Sequence, residues 1–121
     1  MDVEVSVRPP NSVVLVGDPA GEPPETMGEA LVSATETVVA IGTLAEADGS
    51  TRIRMVDAAT TAERPETLAF EGAVEVPSGR LTIESVLGDA YAEEPVPGGE
   101  AKIQVWVNDE HEPDEIVVVV G

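Results

Sequence analysis

The sequence predicts a mainly β protein, an antiparallel β-sandwich of about eight short strands with at most one short helix. Valine is the dominant apolar residue, and Phe70, Tyr91 and Trp106 are the only aromatic residues. Because β-branched side chains are crowded on a helix but fit a pleated sheet, this composition favours strands. Turn sequences rich in Gly, Pro and Asp also recur about every 10 residues, which is typical of a sandwich. A half-open β-barrel is the alternative architecture.

The first strand shows the alternating pattern clearly, because Val3, Val5 and Val7 share one face until Pro9 and Pro10 end the strand. The eight predicted strands cover residues 3–7, 12–17, 38–46, 51–57, 68–76, 80–87, 101–107 and 115–120. The segment GDPAGEPPE after the second strand is predicted as a loop, since its prolines lack amide donors. The segment DGS before the fourth strand is predicted as a tight turn of the hairpin kind.

One short helix is predicted over the segment MGEALVSAT. Thr26 precedes this segment as a candidate N-cap, and Glu29 stands where a capping box would place its acidic residue. No other part of the chain carries a credible helix pattern.

The last two predicted strands differ in pattern. In AKIQVWV, alternation places Ile103, Val105 and Val107 on one face and Trp106 on the other. Trp106 therefore either packs against a second layer, such as the short helix, or is an exposed anchor for a partner. The final segment EIVVVV does not alternate, which indicates a strand covered on both faces or central in its sheet.

The composition limits the class of protein. A chain of 121 residues without a linker or repeat predicts a single domain over residues 1–121. The net charge is −18, from 24 acidic and 6 basic residues, which argues against nucleic acid and anionic membranes as direct ligands. Such a charge is either a solvated surface or a surface complementary to a basic partner. The arginines at positions 52, 54, 64 and 80 are expected to pair with neighbouring acids.

The chain has no cysteine, which excludes disulfides and thiol chemistry. Its acidic start, MDVEVSV, lacks the basic region of a signal peptide, and no apolar run approaches the length of a membrane span. These features predict a soluble cytoplasmic protein.

The segment NDEHEPDE between the last two strands is predicted as a hairpin loop. It surrounds the only histidine, His111, with five carboxylates, those of Asp109, Glu110, Glu112, Asp114 and Glu115. The segment lacks the alternating ligands and the turn glycine of a calcium loop, and one histidine supplies too few ligands for zinc. We therefore predict no metal site and no cofactor, and we treat the loop as a candidate docking surface.

The sequence does not indicate an enzyme. Any serine-based triad would need His111 as its base, and the surrounding carboxylates favour the charged imidazole instead. No serine lies in a nucleophile elbow, and no phosphate-binding loop is present. A carboxylate-based hydrolase would need a cleft, usually lined by more aromatic residues than this chain contains.

The segment VPSGRLTIESVLGDAYAEEPVPGGEAKIQVWV resembles the competence protein J family, whose members bind and inhibit a DNA-entry nuclease. The resemblance rests on a turn followed by LTIESV, then the turn PGG, then a strand carrying Trp106. Upstream, MGEALVSATETVVAIGTL is similar to the small-residue segment of the family, so the resemblance spans residues 3–120. The chain departs from the family at Ala101, where an aromatic residue is expected, and in a shorter loop before the last strand.

The resemblance implies a β fold and a nuclease as partner, with no catalytic residues to carry over. Taken with the charge, it predicts a non-enzymatic, acidic protein-binding domain that blocks a basic nucleic-acid channel. The predicted partner-binding residues are those of the loop (Asp109, Glu110, Glu112, Asp114 and Glu115), a second acidic pair (Glu93 and Glu94), and Trp106. The alternative is a structural or ligand-binding accessory domain whose acidity reflects salt adaptation or solubility. Neither of these two functions implies a particular oligomeric state.

Overall fold

The computed structural model describes residues 1–60 and 63–121, and within them it contains ten β-strands and one short 3-10 turn at Pro10–Ser12. The strands are β1 (Asp2–Val7), β2 (Val13–Gly17), β3 (Val32–Ala34), β4 (Val38–Gly42), β5 (Thr51–Asp57), β6 (Thr67–Glu75), β7 (Arg80–Ser85), β8 (Ala90–Pro95), β9 (Glu100–Val107) and β10 (Glu115–Val120). The prediction of a mainly β protein is confirmed.

The strands form two five-stranded sheets. We call them sheet A, in the order β1-β5-β10-β9-β6, and sheet B, in the order β3-β4-β2-β7-β8. All neighbouring strands are antiparallel except β5 and β10, which run parallel. The sheets do not close into a barrel, so the sandwich is correct and the alternative half-open barrel is wrong.

The core lies between the two sheets and consists mainly of valine and isoleucine. In β9, the alternating side chains of Ala101, Ile103, Val105 and Val107 are all fully buried. They pack against inward side chains of both sheets, including Val14, Val16, Val39, Ile41, Ile53, Met55, Leu81, Ile83, Ile116 and Val118. Burying each such side chain contributes about 1.5–3 kcal/mol. The core between the two sheets therefore supplies most of the driving force for folding.

The prediction that EIVVVV forms a strand covered on both faces or central in its sheet is confirmed by β10. It is the central strand of sheet A, and Ile116 and Val118 face the core between the sheets. Val117 and Val119 face the opposite side, where they form a second buried cluster with Val56. Both faces of the strand are therefore covered, as its lack of alternation predicted.

The predicted helix is wrong. The hydroxyl of Thr26 accepts a hydrogen bond from the amide of Gly28, at 3.1 Å, and so closes a local turn instead of capping a helix. Gly28 has a φ of 56°, which ends any right-handed helix at this point. Residues Val32–Ala34 form β3, which pairs with the edge of β4.

The strand count also differs from the prediction, which missed β3 and β8. Both are edge strands of sheet B. The prediction of a hairpin turn at DGS is wrong as well, because β4 lies in sheet B and β5 in sheet A. The connection between them crosses from one sheet to the other and covers one end of the sandwich.

Candidate protein-binding site

The loop at residues 108–115 joins two antiparallel neighbours, β9 and β10, which confirms the predicted hairpin. Its base is closed by side chains, because the amide of Asn108 donates to Asp114 Oδ1 at 2.6 Å and the Glu115 amide donates to Asn108 Oδ1 at 3.2 Å. Asp109 Oδ1 accepts hydrogen bonds from the backbone N–H groups of His111 and Glu112, both at 2.8 Å. The loop therefore has a defined conformation.

The same hydrogen bonds explain why Asp109 is charged. The backbone N–H groups of Glu112 and His111 lower the pKa of the Asp109 carboxyl below its ordinary range. Asp109 therefore carries its full negative charge at neutral pH while it also holds the shape of the loop. Asp109 therefore contributes both to the charge and to the shape of the loop.

The loop is fixed to the end of the sandwich by its own backbone. The carbonyl of Pro113, a buried residue, accepts a hydrogen bond from the Leu44 amide at 2.9 Å. The carbonyl of Asp114 accepts one from the Arg52 amide at 2.8 Å. Glu110–Glu112 also line a shallow cavity together with the turn at residues 27–31. Three separate connections thus meet at this end.

We call this part of the molecule the acidic end. It is the end at which β2 and β10 begin and β4, β7 and β9 finish. Its connections carry the carboxylates of Glu29, Glu46, Asp48, Asp89, Asp109, Glu110, Glu112, Asp114 and Glu115. The cations there are Arg8 and Arg52, and Arg52 is paired with Glu115 at 2.9 Å. This end is therefore strongly negative.

The second predicted acidic pair lies elsewhere. Glu93 and Glu94 are in β8, and Glu93 is bonded to Arg80 at 3.0 Å. The following residue, Pro95, lines a cavity with Met1 and Val120, at the end of the sandwich opposite to the acidic end. The structure does not bring this pair together with the loop at residues 108–115.

Trp106 lies on the outer face of sheet A, as alternation predicted. It is half-buried and packs against the cluster of Val56, Val117 and Val119. Its indole N–H donates to Gln104 Oε1 at 3.3 Å. The Arg64 guanidinium lies 5.8 Å from the ring centroid, so the second layer over Trp106 comes from the connection between β5 and β6 and not from a helix.

The predicted pairing of the arginines is confirmed for three of the four. Arg54 makes two hydrogen bonds to the Asp2 carboxylate, at 2.9 and 2.7 Å, and these bonds lower the pKa of Asp2. Arg52 and Arg80 are paired with the glutamates named above. Arg64 instead contacts the face of an aromatic ring.

Replacing Arg64 is expected to weaken the covering of Trp106. Arg64→Gln removes a cation–π contact, which contributes about 0.5–1 kcal/mol at an exposed site. We expect a decrease of that size in the free energy of unfolding in urea, followed by the emission of the single tryptophan. Arg8→Gln, at the acidic end, is the matched control and should leave the tryptophan emission of the folded protein unchanged. Equal emission spectra for Arg64→Gln and wild type would contradict the contact.

Sequence reasoning missed one exposed feature. The predicted strand over residues 80–87 is two residues too long, because β7 ends at Ser85 and Val86 and Leu87 form the tip of the turn into β8. Leu87 is 73% exposed and Val86 is 37% exposed. The GD pair that follows them, Gly88 and Asp89, was the available signal for a turn.

Two further observations bear on the class of site. Across residues 1–60 and 63–121, no group of three or more His, Cys, Asp or Glu side chains has the arrangement of a metal site. In the same part of the chain, no helix has the length and apolar character needed to cross a membrane.

Comparison with known proteins identifies the fold. No family model and no curated protein matches the chain. The crystal structure of ComJ from Bacillus subtilis, an inhibitor of the DNA degrading activity of NucA, matches 98% of this chain and 93% of its own. The TM-score is 0.69 and the sequence identity is 14%. This chain has the fold of ComJ.

A second solved structure, crocagin biosynthetic gene J, supports the same assignment. It covers 99% of this chain and 96% of its own, with a TM-score of 0.63 and 12% identity. The resemblance to ComJ that the sequence motifs indicated is thus confirmed for the fold over nearly the whole chain. At 14% identity, the similarity to ComJ shows a shared fold and nothing more.

Proposed function

We propose that this chain is a non-enzymatic protein-binding domain that inhibits a nuclease through its acidic end. The observation that carries the proposal is the concentration of carboxylates on the connections of one end of a ComJ-like sandwich. A nuclease must hold phosphates, so its substrate channel is lined with cations. A strongly negative surface is attracted to such a channel and competes with DNA for the same cations.

The geometry of the acidic end supports this role. The loop at residues 108–115 keeps its shape through hydrogen bonds from its own backbone, so its backbone and the Asp109 carboxylate are held in place before a partner arrives. Preorganised groups lose less conformational entropy on binding, which increases affinity. Four of the six cations lie away from this end: Arg54, Arg64, Arg80 and Lys102. The negative potential of the end is therefore weakly opposed.

The proposal is tested with the protein immobilised in a lysate of its source organism. Bound material is eluted with a salt gradient, identified by mass and assayed for DNA cleavage with and without the free protein. We expect a basic nuclease that elutes with salt and is silenced when the free protein is added. If no retained protein cleaves DNA, or if cleavage continues in the presence of excess free protein, the proposal is wrong.

A second candidate function is an accessory β-domain whose acidity is an adaptation to salt. It is favoured by the acidic residues at the opposite end, including Glu22, Glu25 and Glu36, which line a cavity there. The two candidates predict different responses to ionic strength. A salt-adapted fold loses thermal stability at low salt, whereas an acidic inhibitor stays folded and binds its partner less tightly as salt rises. Melting temperatures measured between low and high salt separate them.

A further inference from the structure

The turn between β7 and β8 exposes two apolar side chains at its tip. We call Val86 and Leu87 the apolar tip. Among the residues that the structure describes, they are two of the three large hydrophobic side chains that are exposed, and Leu87 is the most exposed of the three, at 73%. The third, Leu68, is 42% exposed and lies on the outer face of sheet A beside Trp106. An apolar residue held this far out of the fold contributes nothing to the core.

The apolar tip is held rigidly. Ser85, whose side chain is buried, accepts hydrogen bonds through Oγ from the amides of Leu87 at 3.1 Å and Asp89 at 3.2 Å. The backbone of Ser85 also donates to the Asp89 carbonyl at 2.9 Å and accepts from the Gly88 amide at 3.1 Å. Gly88 has a φ of 89°, a conformation that favours glycine. The tip is therefore a preformed projection.

The apolar tip lies at the acidic end. Ser85 pairs with Val14 near the start of β2, and the start of β2 borders the cavity lined by Glu110–Glu112. Asp89 is part of the turn itself, and Glu46 lies on the connection between β4 and β5, at the same end of the sandwich. An apolar projection with an acidic surround has the composition of an interface, with an anchor at its centre and charge around it.

We propose that the apolar tip is the anchor of a protein-binding surface whose partner presents an apolar pocket rimmed by Lys and Arg side chains. Leu87 enters the pocket, Val86 packs on its edge, and the surrounding carboxylates meet the cationic rim. Charge complementarity selects the partner, and burial of the tip slows its dissociation. This inference rests on the proposed function, because we place the pocket on the nuclease, close to its phosphate-binding cations.

The test uses the absence of native cysteine. A Leu87→Cys variant carries a unique thiol that can be labelled with a benzophenone maleimide, and a Leu68→Cys variant provides the matched control on another face. Each labelled protein is irradiated in a lysate of the source organism, and the cross-linked peptides are mapped by mass spectrometry. The protein found at position 87 is then purified, and its affinity for wild type, Leu87→Ser and Leu68→Ser is measured.

We expect a discrete adduct from position 87 alone, with the cross-linked peptide apolar and flanked by Lys or Arg. Leu87→Ser should weaken binding at least tenfold, and Leu68→Ser should change it less than twofold. Both serine variants should keep the wild-type melting temperature, because the leucines are exposed. No adduct above the position 68 control, a cross-linked peptide without neighbouring cations, or equal affinity for Leu87→Ser and wild type would each overturn the inference.

The same proteins separate this inference from the proposed function. If the partner binds through the tip but does not cleave DNA, the proposed function fails and the anchor stands. If wild type and Leu87→Ser silence a nuclease equally well, the proposed function stands and the anchor fails.

Discussion

Neutralising the five carboxylates of the loop at residues 108–115 is expected to slow association with the partner at least tenfold at low salt. The variant replaces Asp109 and Asp114 by Asn and Glu110, Glu112 and Glu115 by Gln. Electrostatic steering raises association rates by about 10- to 1,000-fold. The size of this increase depends on the local charge of the surface that meets the partner. The dependence of the association rate on salt should flatten at the same time, while the dissociation rate changes less.

The isosteric changes are chosen because the loop depends on some of these side chains. Asn at position 109 keeps an oxygen that can accept from the amides of His111 and Glu112, as Asp109 Oδ1 does now. Gln at position 115 leaves Arg52 without the carboxylate that lies 2.9 Å from it, but this pair is exposed and contributes little to stability. The loop should therefore keep its conformation, which near-identical melting temperatures would verify.

The control changes the net charge equally at the opposite end of the sandwich. It replaces five exposed glutamates there by Gln: Glu22, Glu25, Glu36, Glu75 and Glu100. Stopped-flow association at several salt concentrations distinguishes the two variants. If both slow association equally, steering depends on total charge and the acidic end has no special role; if neither does, the loop is only a solvated turn.

Replacing Asp18 by Asn is expected to lower the free energy of unfolding by about 1–3 kcal/mol. Asp18 is only 4% exposed, and its two oxygens accept hydrogen bonds from the Ala20 amide and the Ser78 amide, both at 2.8 Å. These bonds tie the loop after β2 to the turn between β6 and β7. The Asn side chain has one acceptor oxygen and one donor nitrogen, so the amide of Ala20 or that of Ser78 would then face another N–H group.

The pH dependence provides an independent check on Asp18. Burial raises the pKa of its carboxyl, but the hydrogen bonds from Ser78 and Ala20 outweigh this and leave the pKa below its ordinary range. Since the pKa is lower in the folded than in the unfolded protein, the carboxylate stabilises the fold above the unfolded pKa of about 4. That stabilisation is lost as the pH falls through the folded pKa.

Urea unfolding at pH 7 and at pH 3 or below measures the effect. The difference between wild type and Asp18→Asn should be largest at pH 7 and should shrink as Asp18 itself becomes protonated. Asp48→Asn, at an exposed position in the connection between β4 and β5, should change stability by less than about 0.5 kcal/mol. A difference between wild type and Asp18→Asn that stays constant with pH would show that the charge of Asp18 is not the cause.

The sequence predicted the interior of the sandwich better than its borders. Central strands such as β9 and β10 bury one or both faces, so their apolar residues follow a readable pattern. The missed strands, β3 and β8, are edges with one pairing neighbour, and β3 is only three residues long. Their residues need to satisfy fewer contacts, so their sequences carry a weaker signal.

Only the part of the candidate site that is contiguous in sequence could be predicted. NDEHEPDE is contiguous in sequence, so its hairpin and its charge could be read directly. Its contact with the turn at residues 27–31, and its position at the same end as the turn at residues 85–89, depend on the order of strands in two sheets, which local patterns do not specify. The placement of Glu93 and Glu94 away from the loop follows from the same topology. The exposure of Leu87 was missed because an apolar residue next to a strand is ordinarily read as its continuation.

β10 is formed by residues 115–120, yet it lies between β5 and β9 and is hydrogen-bonded to both. On the ribosome, β5 and β9 therefore have no common neighbour until this segment leaves the exit tunnel. Until then, β5 and β9 expose unpaired strand edges, and such edges promote aggregation. Pairing between segments so distant in sequence also makes folding slow. The two halves of sheet A, β1-β5 and β9-β6, are thus joined only when β10, the last of the ten strands in chain order, has been made.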